Sequence, residues 1–103
     1  MKRLILGTAQ FGMIYGLNNK KRISLKTIKS IINGARKNNV KFLDTASSYG
    51  DCEKVLGKIG VSDFSIISKV MLKNTGIQNP NEWLENNIKK TLNNLRVKKL
   101  YGL

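Results

Sequence analysis

Three times along this 103-residue chain a short apolar run gives way to a stretch whose apolar residues fall three and four apart. Residues 4 to 6 lead into Gly7-Thr8, the pattern of a buried strand closing on a tight turn. After a Gly- and Asn-containing loop over 11 to 23, Leu25, Ile28, Ile31, Ile32 and Ala35 line one face of a helix, with Ser24 as its N-cap and Asn38-Asn39 at its end. Residues 40 to 43 form the second run. The helix after it carries Asp51 and Glu53 in its first turn, where the helix dipole favours negative charge, and Val55, Leu56 and Ile59 on one face. After the third run, 64 to 68, and a loop containing Gly76, the stretch NPNE at 79 to 82 supplies a cap, a proline at the first helical position and an acid three residues past the cap. Leu84, Ile88, Leu92 and Leu95 then mark a long helix. The pattern predicts strands near 3 to 6, 40 to 43, 64 to 68 and 99 to 103, and helices near 25 to 38, 50 to 59 and 80 to 95. Such alternation makes an α/β fold of parallel strands joined by right-handed crossovers, either doubly wound or the beginning of a barrel, and periodicity does not separate the two. No linker or low-complexity segment divides the chain.

Composition closes several function classes. No apolar run approaches the ~20 residues that cross a bilayer, and the hydrophobic stretch in MKRLILGTAQ is too short for a secretory signal, so the expected location is cytoplasmic. With one cysteine, Cys52, and no histidine, the chain has no internal disulfide, no metal-ligand cluster and no Ser-His or Cys-His pair. The net charge of +13 raises a competing reading, a basic α/β binding module for nucleic acid or another polyanion. The lysine excess, however, travels with asparagine and isoleucine, the trio that A/T-rich codons supply. Lys26, Lys29 and Lys37 sit between the apolar positions of a helix, as on a solvated face, and no aromatics are interleaved with them to stack bases. Nucleic acid is therefore not the expected partner.

In parallel α/β sheets the loops that follow the strands share one rim, and functional groups collect there. Asp44 ends the second run, Tyr49 lies just beyond it and Lys69 follows the third. Neighbouring strands run about 4.8 Å apart, so a carboxylate and an ammonium at matching heights on adjacent strands can pair. A lysine held beside a tyrosine hydroxyl stabilises the phenolate and makes that tyrosine a usable general acid, while the aspartate fixes the lysine. Singly, each residue has a plainer reading: a turn or cap for Asp44, packing for Tyr49, a surface charge for Lys69. Cys52 reads as a small, partly buried helix residue.

Three stretches, ILGTAQFG, LDTASSYGDCEKVLG and IISKV, resemble the N-terminal part of the aldo-keto reductase family, and the likeness extends over essentially the whole chain. The resemblance implies a (β/α)8 TIM barrel, of which this chain would be the first three to four βα units, residues 1 to 103 being the N-terminal part of the barrel domain. It also implies NADPH-dependent reduction of an aldehyde or ketone, with Asp44, Tyr49 and Lys69 as three members of a catalytic tetrad and Gly7, Thr8 and Asp44 beside the cofactor. The looser likeness of GTAQFG and the following Tyr15-Gly16 to a bacterial branch found beside surface-sugar biosynthesis implies a sugar-related carbonyl substrate. The tetrad's histidine has no counterpart here, since the chain contains none. The expectation is that these 103 residues are inactive alone and leave sheet edges open.

Overall fold

The computed structural model describes residues 3–12, 23–71, 76 and 78–103. Three strands, β1 (Ile5–Gly7), β2 (Phe42–Asp44) and β3 (Ser65–Ile67), form a parallel sheet in that order. Between and after them come helices α1 (Leu25–Lys37), α2 (Cys52–Ile59) and α3 (Pro80–Leu95), and a short 3-10 turn (Ala9–Phe11) follows β1. The order of strands is the order of sequence, as in successive units of a barrel. The expected helices agree to within two residues at their ends. The strands are shorter, and the first two sit slightly later, than the apolar runs suggest. The fourth expected strand is present only as a parallel bridge between Ile67 and Gly102, on the far side of β3 from β2. Most of the loop expected over 11 to 23, and the loop around Gly76, lie outside the described residues.

The sheet has two unlike faces. The middle residue of each strand, Leu6, Leu43 and Ile66, faces the helices, and Leu43 and Ile66 are fully buried with Ile28, Ile32, Leu56 and Leu95. The flanking residues point the other way, where Ile5 is 56% exposed and Phe42 meets the Tyr101 ring edge-on at 4.9 Å. In a barrel this second face is the interior. The helical faces are less uniformly buried than their spacing suggests, because Leu25 and Leu84 stand exposed near the N-terminal ends of α1 and α3.

Local chemistry explains the helix ends. Ser24 Oγ accepts the Thr27 amide at 3.2 Å, and Asn79 Oδ1 accepts the Glu82 amide at 3.2 Å, with Pro80 in the first turn. Past α1 and α3 the chain turns through left-handed residues, Asn39 at φ 58° and Arg96 at φ 56°. Arg36 ties the end of α1 to the segment before β3. Its guanidinium grips Asp63 through two nitrogens at 2.8 Å, donates to the Gly60 carbonyl at 2.6 Å and lies 5.2 Å over the Phe64 ring. The hydrogen bond from Arg36 holds the Asp63 carboxyl below its ordinary value near 3.8, against a smaller opposing effect of burial.

Helices α2 and α3 touch through Gly57, where any side chain would collide with the Asn94 carbonyl oxygen. Gly57→Ala is expected to cost about 1–3 kcal/mol, read as a lower urea midpoint, and an unchanged midpoint would show that the helices do not meet there. A depressed Asp63 contributes stability above its unfolded value and loses it as pH falls through the lower folded value. Both side chains of the pair are substantially exposed, so the contribution is at most about 1 kcal/mol. Asp63→Asn should therefore lower the urea midpoint slightly near pH 7, and the difference from the parent should shrink as pH falls below the ordinary carboxylate value near 3.8.

Candidate active site

The rim where the strands end carries the three residues singled out above, and continuation of the sheet's hydrogen bonds beyond the strands brings them together. Register aligns Gly7 with Asp44 and Asp44 with Ile67. The ladder then runs on: Thr8 N–H donates to Asp44 O at 3.1 Å, Thr45 N–H to Ile67 O at 2.9 Å and Ser47 N–H to Lys69 O at 3.0 Å. Lys69 is thereby held level with the loop that follows β2. Its ammonium donates to Asp44 Oδ1 at 2.6 Å and to the Thr45 carbonyl at 2.9 Å.

Tyr49 arrives by a turn in which its amide donates to Ala46 O at 3.2 Å, and its own carbonyl accepts the Cys52 amide at 3.1 Å to begin α2. The ring is half-buried against the core. Lys69 Nζ lies 5.5 Å from its centroid, a cation over an aromatic ring. Among the described residues the ammonium makes no hydrogen bond to the Tyr49 hydroxyl; its donors go to Asp44 and Thr45. Gly12 sets the height of the tyrosine turn, since a side chain there would strike the Tyr49 carbonyl and the Cys52 amide.

Gly7, Thr8, Ala9, Gln10, Asp44 and Tyr49 line an open cavity of about 220 Å³. Gly7 leaves its floor bare: a Cβ built there would meet nothing within 4 Å. Complete small-molecule sites usually span roughly 300–1,000 Å³, so these residues form one wall of a larger site. Thr8 belongs to that wall, yet its side chain is fully buried and its hydroxyl donates to Asp44 O at 2.9 Å.

Several contributors escape sequence reasoning. The Cys52 sulfur is completely buried beneath the rim, 3.2 Å from Thr8 O, 3.3 Å from Thr8 Oγ1 and 3.4 Å from Thr45 Oγ1. Burial pushes this thiol upward, which keeps it protonated and inert. Glu53, in the first turn of α2, is buried and accepts a hydrogen bond from Ser68 Oγ at 3.2 Å. Ser47 Oγ donates to Lys69 O at 3.1 Å. Small hydroxyl residues at strand ends were the only available signal for this knot, and turns use the same residues. Among the described residues no group of three or more His, Cys, Asp or Glu could hold a metal, and no helix is long and apolar enough to cross a membrane.

The aldo/keto reductase family model matches residues 3–101. The chain belongs to the aldo/keto reductase family. Two solved structures of candidate aldo-keto reductases from Pseudomonas aeruginosa superpose with TM-scores of 0.75 at 23% and 21% identity, over 93% of this chain and 39% and 38% of theirs. A candidate 2,5-diketo-D-gluconic acid reductase B superposes with a TM-score of 0.62 at 20% identity, over 93% of this chain and 30% of its own. These likenesses establish the fold, part of a (β/α)8 barrel, and the chain spans about two fifths or less of the length of those structures. No curated protein matches it.

The buried hydroxyl and the exposed ion pair should differ in their effect on stability. Thr8→Val is expected to cost about 1–3 kcal/mol, because it removes a buried donor to Asp44 O and an oxygen neighbouring Cys52. Asp44→Asn, at a pair whose side chains are 49% and 38% exposed, should change stability by no more than about 1 kcal/mol. Equal urea midpoints for the two variants would show that the knot beneath the rim does not hold it.

Proposed function

We propose that this chain is the N-terminal part, over residues 1 to 103, of the barrel domain of a carbonyl reductase that uses a reduced nicotinamide cofactor, NADPH in particular. The observation that carries the reading is the Lys69 ammonium, bonded to Asp44 at 2.6 Å and lying over the Tyr49 ring, beside a cavity floored by Gly7. In a family of oxidoreductases, a phenol with a fixed cation and its counter-ion is the equipment of a general acid.

A bound nicotinamide, which Gly7, Thr8 and Asp44 would hold, would supply hydride for the carbonyl carbon. Tyr49 gives its hydroxyl proton to the carbonyl oxygen, so that an aldehyde or ketone leaves as an alcohol and the phenolate is reprotonated from solvent. Lys69 stabilises the phenolate by its charge, and Asp44 holds Lys69 in place. The bare floor at Gly7 leaves room for a flat ring beside Asp44, and Thr8 shapes the same wall while anchoring the Asp44 carbonyl. For substrate we propose a small carbonyl compound, a sugar-related one on the strength of the sequence likeness, and for location the cytoplasm.

In a protein that joins this chain to the rest of the barrel, Tyr49→Phe is expected to lower kcat by about 10²–10⁴-fold for NADPH-dependent carbonyl reduction. Turnover undiminished in that variant would remove Tyr49 from the chemistry. The 103 residues alone are expected to show no turnover in the same assay, since their cavity supplies one wall only.

A further inference from the structure

Lys69 engages the loop after β2 through both ends of the residue. Its ammonium donates to Asp44 Oδ1 and Thr45 O, at 2.6 and 2.9 Å. Its backbone carbonyl accepts two hydrogen bonds from a single residue, the amide of Ser47 at 3.0 Å and the hydroxyl of Ser47 at 3.1 Å. A four-carbon side chain with several rotatable bonds places its charge reproducibly only if its Cα is fixed relative to its partners. Beyond Ile67 the pairing of β2 with β3 has ended, and the Ser47 bonds take over that task. Ser47 also lies two residues before Tyr49, whose amide closes the turn onto Ala46 O. One serine therefore joins the segment bearing the tyrosine to the segment bearing the lysine.

We infer that Ser47 is a positioning residue for the reaction, its hydroxyl clamping the Lys69 carbonyl so that the ammonium stays against Asp44 and the Tyr49 ring. The inference rests on the catalytic reading of Lys69 given above. Neighbouring bonds limit what Ser47 has to do for the fold. Ser68 is held separately by buried Glu53, and the Ser47 amide keeps its own bond to Lys69 O when the hydroxyl is removed. Loss of the hydroxyl should loosen Lys69 without unfolding the sheet.

The test is competitive acetylation of the 103-residue chain with trace acetic anhydride, with the label at each lysine read by mass spectrometry. In the parent, Lys69 should react more slowly than exposed Lys26, Lys29 and Lys37, because its ammonium is engaged twice. In Ser47→Ala the Lys69 rate should rise about fivefold, the weight of one net hydrogen bond, while the other three stay constant. Ser47→Thr, which keeps a hydroxyl, should return Lys69 to the parent rate. An unchanged Lys69 rate in Ser47→Ala overturns the inference. So does a joint rise of all four lysines, which would make Ser47 a residue of general stability, or a failure of threonine to restore protection. Because labelling reads the ammonium and not turnover, it can fail while Tyr49→Phe still abolishes reduction, and it can succeed where that variant retains activity.

Discussion

Parallel register at the strand ends is the constraint from which the rest of this structure follows. A parallel ladder fixes not only which residues face each other but also how far along the sheet each strand stops. Gly7, Asp44 and Ile67 stand side by side, and the next amide on each path, from Thr8 and Thr45, bonds sideways to the neighbour's carbonyl. The rim is thus an extension of the sheet, made of backbone bonds that a side-chain substitution leaves in place. Shifting one strand by a single residue would turn Asp44 to the helix side and separate it from Lys69.

That rim is held from below by buried polar groups. Thr8, Thr45, Cys52, Glu53 and Ser68 are all buried between the sheet and α2. Each polar group so placed would weaken the fold if left unpaired, and among the described residues none is. Such a network directs carbonyls and hydroxyls to set positions, which a purely apolar layer cannot do. The apolar core, built on Ile28, Ile32, Leu43, Leu56, Ile66 and Leu95, supplies cohesion, and the polar layer above it supplies placement.

The other face of the sheet is not covered in the same way. Ile5, Phe42 and Ile67 lie where a barrel interior would be, and the Tyr101 ring packs edge-on against Phe42. Leu4 and Ile5 remain exposed along β1 beside a groove of about 310 Å³ against α1, and Tyr101 and Leu103 are exposed at the opposite side of the sheet. The chain matches about two fifths of two of the structures it resembles.

The sequence by itself determined the alternation of elements and most helix ends, because a 3.6-residue spacing, an N-cap such as Ser24 or Asn79 and a proline after the cap act within one turn of chain. It also placed Asp44 and Lys69 at strand ends, and their pairing needed only that the second and third strands be adjacent. Tertiary structure decided the remainder. The segment at 99 to 103 has the composition of a strand, yet it forms one bridge, because a strand exists only to the extent that a neighbour pairs with it. Glu53 has the local signature of a dipole-favoured first-turn acid, yet it is buried, with Ser68 just past β3 donating to it. Ser47 and Thr8 look like ordinary turn residues until the sheet brings Lys69 and Asp44 within reach, 22 and 36 positions away in sequence. Local signals are written in neighbouring residues. Contacts across such distances depend on which strands lie side by side and in what register, and that is settled only when the whole sheet packs.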